Sequence, residues 1–384
     1  MSKHLGRLGF TNCSNTTGFA RRLSGFTPEV GHLEAFSIYA SKMPPLRRPA
    51  RIDNDLGPFS AEDMECRPLG SNGPVISVIG YGGWEAGATA WGATPPDDQV
   101  IDSMHAAFDS GVNWLDTAEI YGNGRSEQLI GRAIRDHQDV MTFTKVASAP
   151  RGTGYTPAEV RRAAQGSLKR LGRDVIDLFQ LHWFDEDKAP LEETWAAMAR
   201  LVDEGLVRWI GVSNFTAREV ERCERIRHVD SVQPHLSMLW QERLPLLSFG
   251  ARNGTGVIAY GTLAFGLLTG TITRDSTFAD DDWRSGKHGL RAYGQLFAPD
   301  RFDRNLAVVE ALEPITARLG VSLPSLALAW ALHQPGLTGT IVGSRSASHV
   351  RENAAASSVR LSLQDVADIN SILQRRSEVV LAPP

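Results

Sequence analysis

The chain has 384 residues, 42% hydrophobic and 22% charged, and its 40 Lys+Arg against 44 Asp+Glu leave a formal net charge of −4. This is the balance of a folded globular chain and excludes a collagen, a coiled coil or a disordered polymer; it offers no global attraction for nucleic acid or an anionic membrane surface. The longest apolar run, Val257 to Leu268, is broken by Gly261, Thr262 and Gly266 and falls short of the roughly 18 residues of a membrane span, so no membrane partner is expected.

Residues 1–63 differ from the remainder. The first 52 hold eight Lys/Arg against two acids, Glu29 and Glu34, and run into a Pro-rich stretch, Met43 to Pro49. A basic, Ser-rich, acid-poor segment reads as a transit peptide, a disordered tail, or a start placed too early, with Met43 or Met64 as the true first residue. The expected compartment is the cytoplasm, or an organelle if the leader is a targeting segment. Cys13, Cys66 and Cys223 are far apart and lack metal or redox spacing, which fits a reducing compartment.

From Pro74 onward short apolar runs alternate with amphipathic stretches. The runs predict strands over Val75–Tyr81, Asn113–Thr117, Met141–Val146, Val175–His182, Val207–Ser213, Ser231–Pro234, Gly256–Tyr260 and Gly339–Gly343. Helices are expected over Asp98–Ser110, Glu127–Arg135, Pro157–Leu171, Leu191–Glu204, Arg218–Ile226, Asn305–Leu319, Leu323–His333 and Ser348–Ala355. Thr156-Pro157-Ala158-Glu159 starts one helix as an N-cap, a first-turn proline and an early acid; Gly172 and Gly205 end two. Eight strands, most followed by a helix, predict an α/β fold, a (β/α)8 TIM barrel forming a single domain over residues 64–384 behind the N-terminal extension. No G-x-G-x-x-G follows the first strand, so a dinucleotide-binding sheet of the open type is not expected.

In such a barrel, chemistry gathers at the C-terminal ends of the strands. Those ends carry Asp116, with Tyr121 in the loop beyond it, Lys145, His182, Ser213-Asn214, Gln233 and Tyr260. A tyrosine titrates near 10 and makes a poor acid at neutral pH. A nearby lysine favours its phenolate, a carboxylate holds the lysine charged, and an imidazole can orient a carbonyl oxygen. Asp116–Lys145–Tyr121 with His182 therefore reads as a proton-donor relay. Neither a Ser–His–Asp nucleophile nor metal-ligand spacing is present, and no metal is expected.

The stretch Gly111 to Glu127, containing Asp116 and Tyr121, resembles the signature of the aldo-keto reductases. So do Thr144-Lys145-Val146, Leu181-His182, Gly211-Val-Ser213-Asn214-Phe215, and Gly343-Ser344-Arg345 with Glu352-Asn353. The similarity runs from Met64 to Leu373 and implies a barrel that binds NADPH across its C-terminal face and reduces a small aldehyde or ketone. Asp116, Tyr121, Lys145 and His182 match the family's catalytic tetrad, with Tyr121 as general acid. Ser213, Asn214 and Gln233 match the residues on the nicotinamide carboxamide, Tyr260 the aromatic stacked on its ring, and Gly82, Gly83 and Trp84 the first-strand loop beside cofactor and substrate. Asp116 also counts among the residues beside the cofactor. Gly343, Ser344, Arg345, His349, Glu352 and Asn353 are implied around the adenosine and its 2′-phosphate. A Gly-Ser-Arg turn entering a helix independently suits a phosphate.

The sequence departs from the family in places. Tyr260-Gly261-Thr262-Leu263 stands where many relatives read Tyr-Ser-Pro-Leu, although Gly266 and Gly270 keep backbone contacts to the pyrophosphate expected. A lysine common after the last glycine is Thr271 here, which leaves Arg274 as a substitute. Trp84, Tyr121, His182, Trp183 and Trp91 are expected to line the substrate pocket, with Trp114 and Trp209 in the core. The connection from Thr271 to Phe302, with Asp280-Asp281-Asp282-Trp283-Arg284, reads as a mobile segment over the mouth. The alternative function is a cofactor-binding, redox-sensing subunit like the potassium-channel beta subunits. Those carry Asn where His182 stands, so the histidine favours an enzyme. The oligomeric state is left open, with room for a homo-oligomer.

Overall fold

Within the computed structural model, residues 59–87, 91–92, 94–286 and 293–381 are described, with side chains through 376. The leader expected over 1–63 therefore lies outside the described residues up to position 58.

Eight strands pair in parallel and close on themselves. They are β3 (Ile79–Gly82), β4 (Trp114–Asp116), β5 (Met141–Val146), β6 (Ile176–Leu181), β7 (Val207–Ser213), β8 (Ser231–Gln233), β9 (Gly256–Ala259) and β10 (Gly339–Gly343). Each pairs with its neighbour in chain order, and β10 returns to β3 in the register Val342↔Tyr81. The expected strand Val75–Tyr81 is in fact two. Its first half, β2 (Val75–Ser77), pairs antiparallel with β1 (Cys66–Pro68), and only the second half joins the barrel. This hairpin inserts Leu69 and Ile76, both 0% exposed, among the barrel's innermost side chains.

Side chains two apart on a strand share a face, so each barrel strand presents inward residues in layers. The lowest layer is apolar: Trp114, Phe143, Leu178, Ile258 and Ile341, joined by the hairpin's Leu69 and Ile76. Two residues further along the same strands stand Asp116, Lys145, Gln180, Tyr260 and Gly343. The polar layer thus lies one step above a sealed hydrophobic one. Trp209, expected in the core, is half-buried against that lower layer, and its indole donates to Asn72 O in the hairpin turn at 2.9 Å.

The helices are α1 (Asp97–Asp109), α2 (Arg125–Ala133), α3 (Pro157–Leu171), α4 (Leu191–Asp203), α5 (Ala217–Glu224), α6 (Leu244–Asn253), α7 (Pro299–Leu319), α8 (Leu323–Leu332), α9 (Ala347–Ala355) and α10 (Leu363–Leu381). Their apolar faces and the outer faces of the strands form the larger core. Helix α3 begins as expected, with a Thr156/Glu159 capping box and Pro157, and ends at Gly172 with φ 65°. Helices α6 and α10 were not expected, and α7 starts six residues before the predicted Asn305. No single helix among the described residues is long and apolar enough to cross a bilayer.

Candidate active site

The polar layer opens into one cleft of about 1070 Å³ at the C-terminal end of the strands. Every site residue expected from the sequence lines it, from Gly82, Gly83 and Trp84 through Ser213, Asn214, Gln233 and Tyr260–Leu263 to Gly266, Gly343–Arg345, His349, Glu352 and Asn353. The exceptions are Lys145, which lies behind the cleft wall with 0% of its side chain exposed, and Gly270 and Arg274, expected at the pyrophosphate, which are not among its lining residues.

Lys145 Nζ donates to Asp116 Oδ1 and, at 2.8 Å, to Thr117 O. Asp116 Oδ2 accepts from Gln233 Nε2 at 2.8 Å and Gln180 Nε2 at 3.3 Å. The buried carboxylate thus accepts three hydrogen bonds, one at Oδ1 and two at Oδ2, which is how an interior charge is tolerated. Burial pulls the Lys145 ammonium below its ordinary range, and the adjacent Asp116 works against that shift. Gln233 Nε2 also donates to Gln180 Oε1 at 3.3 Å, which leaves the Gln233 carbonyl oxygen as the acceptor it can turn to a ligand.

Tyr121 and His182 face each other above this network, hydroxyl to Nε2 at 3.5 Å. The relay expected from the sequence holds in its first link and differs in its second. Lys145 Nζ sits 5.5 Å from the Tyr121 ring and gives its hydrogens to Asp116 and Thr117, not to the phenol. Burial accordingly dominates Tyr121 and raises its hydroxyl well above 10, with the Asp116 and Tyr293 charges adding to the rise. The expected lowering by Lys145 does not prevail, and the phenol is held as a neutral proton donor. His182 is pushed well below 6.5, first by burial and then by the Lys145 charge, so its ring is neutral. Its Nδ1 is buried without a hydrogen-bond partner.

Asn214, at φ 64°, is a left-handed turn residue and donates from Nδ2 to His182 O at 3.0 Å and to Ser213 Oγ at 3.2 Å. Tyr260 donates to Asn214 Oδ1 at 2.6 Å, and its hydroxyl meets that of Tyr293. On the substrate side, Trp183 is fixed by Nε1–H donating to Ser148 Oγ at 2.8 Å, and its ring lies 4.9 Å from His182. Trp84 stacks 6.2 Å from Tyr121.

The segment after Gly270 is built differently from the expected loose cover. Trp283 is 1% exposed, 6.2 Å from Trp84 and 5.1 Å from Phe265, so the described part is packed into the cleft wall. Asp282 is engaged by Arg284, which also lies over the Trp91 ring at 5.1 Å and donates to Phe265 O at 3.2 Å. Arg274, the expected substitute for the missing lysine, instead pairs with Glu310 on α7, outside the cleft. Arg284, further along the same connection, lines the cleft instead: a Cβ on Gly266 would stand 3.3 Å from its Nη1. Glu85, also unanticipated, pairs with Arg345 at 3.8 Å, and burial raises its carboxyl. Arg345 further donates to Trp91 O. His235 lies under Tyr260, 4% exposed, with both ring nitrogens unpartnered and its pKa pulled down to about 3 by burial. Glu85 and His235 had no periodic or motif signal; only their placement reveals them.

The donor set at the far end of the cleft, Arg284, Ser344, Arg345 and His349, suits a polyanion. Consecutive left-handed residues Ala264 (φ 47°), Phe265 (φ 56°) and Gly266 (φ 103°) hold the backbone of the adjoining turn in the strained form that anion-binding turns use. A dinucleotide phosphate fits these residues.

Comparison with known proteins agrees with this geometry. The model of the aldo/keto reductase family matches residues 78–374. The chain is 33% identical over 320 residues to the aldo-keto reductase YhdN of Bacillus subtilis (strain 168), covering 81% of this chain and 94% of that one. It is 32% identical over 325 residues to the NADH-specific methylglyoxal reductase of Escherichia coli (strain K12), covering 79% and 96%. Among solved structures, the glycerol dehydrogenase AKR11B4 from Gluconobacter oxydans superposes with a TM-score of 0.71 at 28% identity, over 84% of this chain and 98% of that one.

Proposed function

Because the chain belongs to the aldo/keto reductase family, whose members act on small carbonyl compounds with nicotinamide cofactors, we propose that it reduces an aldehyde or ketone to the alcohol with NADPH, using Tyr121 as the general acid. The buried Lys145–Asp116 pair beneath Tyr121, with His182 3.5 Å from the Tyr121 hydroxyl, carries this reading. The nicotinamide, when bound, supplies the hydride. A carbonyl oxygen placed between Tyr121 and His182 accepts hydrogen bonds from the phenol and from the neutral imidazole. As the carbonyl carbon gains the hydride and the C=O bond becomes single, Tyr121 Oη gives its proton to the oxygen. Charge left on Tyr121 faces the Lys145 ammonium at close range in a dry site, where Coulomb attraction is strong.

Arg345, Ser344 and His349 favour NADPH over NADH, since a 2′-phosphate adds charge for a guanidinium to meet. A relative of this chain is named NADH-specific, so the family does not decide the cofactor, and the support for NADPH here is this set of side chains. His182, in place of the Asn of channel beta subunits, favours turnover over a purely sensing role. The free thiols Cys66 and Cys223 suit a reducing cytoplasm; imaging a full-length fusion beside one lacking residues 1–63 tests this against an organelle.

Tyr121→Phe tests the mechanism. NADPH oxidation with an aldehyde panel should fall by about a hundredfold or more, while NADPH still quenches the fluorescence of the tryptophans around the cleft. Wild-type turnover in Tyr121→Phe would remove Tyr121 from its role.

A further inference from the structure

Four arginines line the cleft. Arg284 is engaged by Asp282 and Phe265 O, and Arg345 by Glu85 and Trp91 O. Arg151 and Arg243 differ: among the described residues their guanidinium groups make no hydrogen bond or ion pair. Arg151 is exposed, on the loop whose Ser148 anchors Trp183. Arg243 is half-buried between β8 and α6, and its charge is felt by both Tyr260 and Tyr293. Arg243 shares the cleft wall with Tyr260 and Tyr293, whose hydroxyls meet each other, and Tyr260 reaches Asn214 beside His182, so Arg243 lines the same cleft as the reacting groups.

A cation drawn partly out of water without a counter-charge is costly to keep. Its neighbour Glu242 also faces the cleft, but it is exposed and forms no pair with it, so water screens that charge. A guanidinium held open in this way matches a planar or tetrahedral oxyanion. We infer that the carbonyl substrate carries a second, anionic group, a carboxylate or phosphate, and that Arg243 binds it. Arg151, at the rim, adds attraction on approach. This rests on the reductase reading above. The reaction is unchanged: hydride reaches the carbonyl carbon, the Tyr121 proton reaches the oxygen, and the anionic group leaves as it came.

The test uses the purified full chain with NADPH and matched substrate pairs: 4-carboxybenzaldehyde against 4-methylbenzaldehyde, and glyceraldehyde 3-phosphate against glyceraldehyde. Wild type should prefer at least one anionic member by about tenfold or more in kcat/KM, and the preferred pair identifies carboxylate or phosphate. In Arg243→Gln the anionic-to-neutral ratio should fall by about tenfold to a hundredfold, with Arg243→Lys recovering part of it. The preference should also shrink as salt rises. A wild-type ratio near one, or a ratio that Arg243→Gln leaves in place, overturns the inference. So does a rise in the NADPH KM that is equal for every substrate, since Arg243 would then serve the cofactor. If wild type reduces no aldehyde of either kind, the reductase reading itself falls.

Discussion

Replacing Lys145 by Met removes one charge from a pair that is 0% and 4% exposed and leaves the Asp116 carboxylate inside the barrel. Breaking one side of a buried pair costs about 3–5 kcal/mol, because the surviving charge is stranded. Here the lower end is expected. Asp116 Oδ2 still accepts from Gln233 at 2.8 Å and Gln180 at 3.3 Å, so only the Oδ1 side loses its donor. The variant should therefore lose about 3 kcal/mol, read as a lower urea midpoint with an unchanged slope. Adding Asp116→Asn removes the stranded charge and should return part of that loss, giving a coupling energy of about 1 kcal/mol or more in the double-mutant cycle. A loss below about 1 kcal/mol for Lys145→Met, or full additivity in the double variant, would show that the pair is not held as a buried charge couple.

Other outcomes follow from single contacts. Gly261→Ala places a Cβ 2.5 Å from the His235 ring at φ +71°, so its melting temperature should fall by several degrees. His235 has a folded pKa of about 3 against an ordinary 6.5, so the unfolded chain binds the extra proton. Stability present above pH 6.5 is then lost as pH falls toward 3, and His235→Phe should flatten that slope in acid denaturation; an unchanged slope would contradict the assignment. Arg345→Ala should raise the KM for NADPH about tenfold or more and leave that for NADH nearly constant. Equal use of both cofactors, unaffected by the substitution, would defeat the 2′-phosphate reading.

Much of this molecule is legible in one dimension because the barrel repeats a simple rule. Apolar runs such as Met141–Val146 and Val207–Ser213 coincide with strands to the residue, and polar side chains at the ends of strands must converge once the sheet closes. The hairpin was hidden since Val75 to Tyr81 reads as one apolar run, and only its pairing with Cys66–Pro68 divides it. Helix α10 carried a usable signal that was passed over: Val366, Ile369, Ile372 and Leu373 recur at helical spacing, and the last three are buried. Arg274 and Arg284 are chemically alike and ten residues apart on one loop; the sequence favoured the first, whereas packing against Trp91 and Phe278 brings the second to the cleft. The direction of the Tyr121 shift was missed for a related reason. Burial and a separation of 5.5 Å are three-dimensional quantities that residue types do not carry.

The hairpin beneath the barrel has a consequence for the charges above it. With Leu69 and Ile76 filling the lower end, an apolar plug closes the barrel from below, and the polar layer meets solvent at the C-terminal end of the strands. Substitutions that loosen Leu69 or Ile76 would let water reach the buried Asp116–Lys145 pair from beneath.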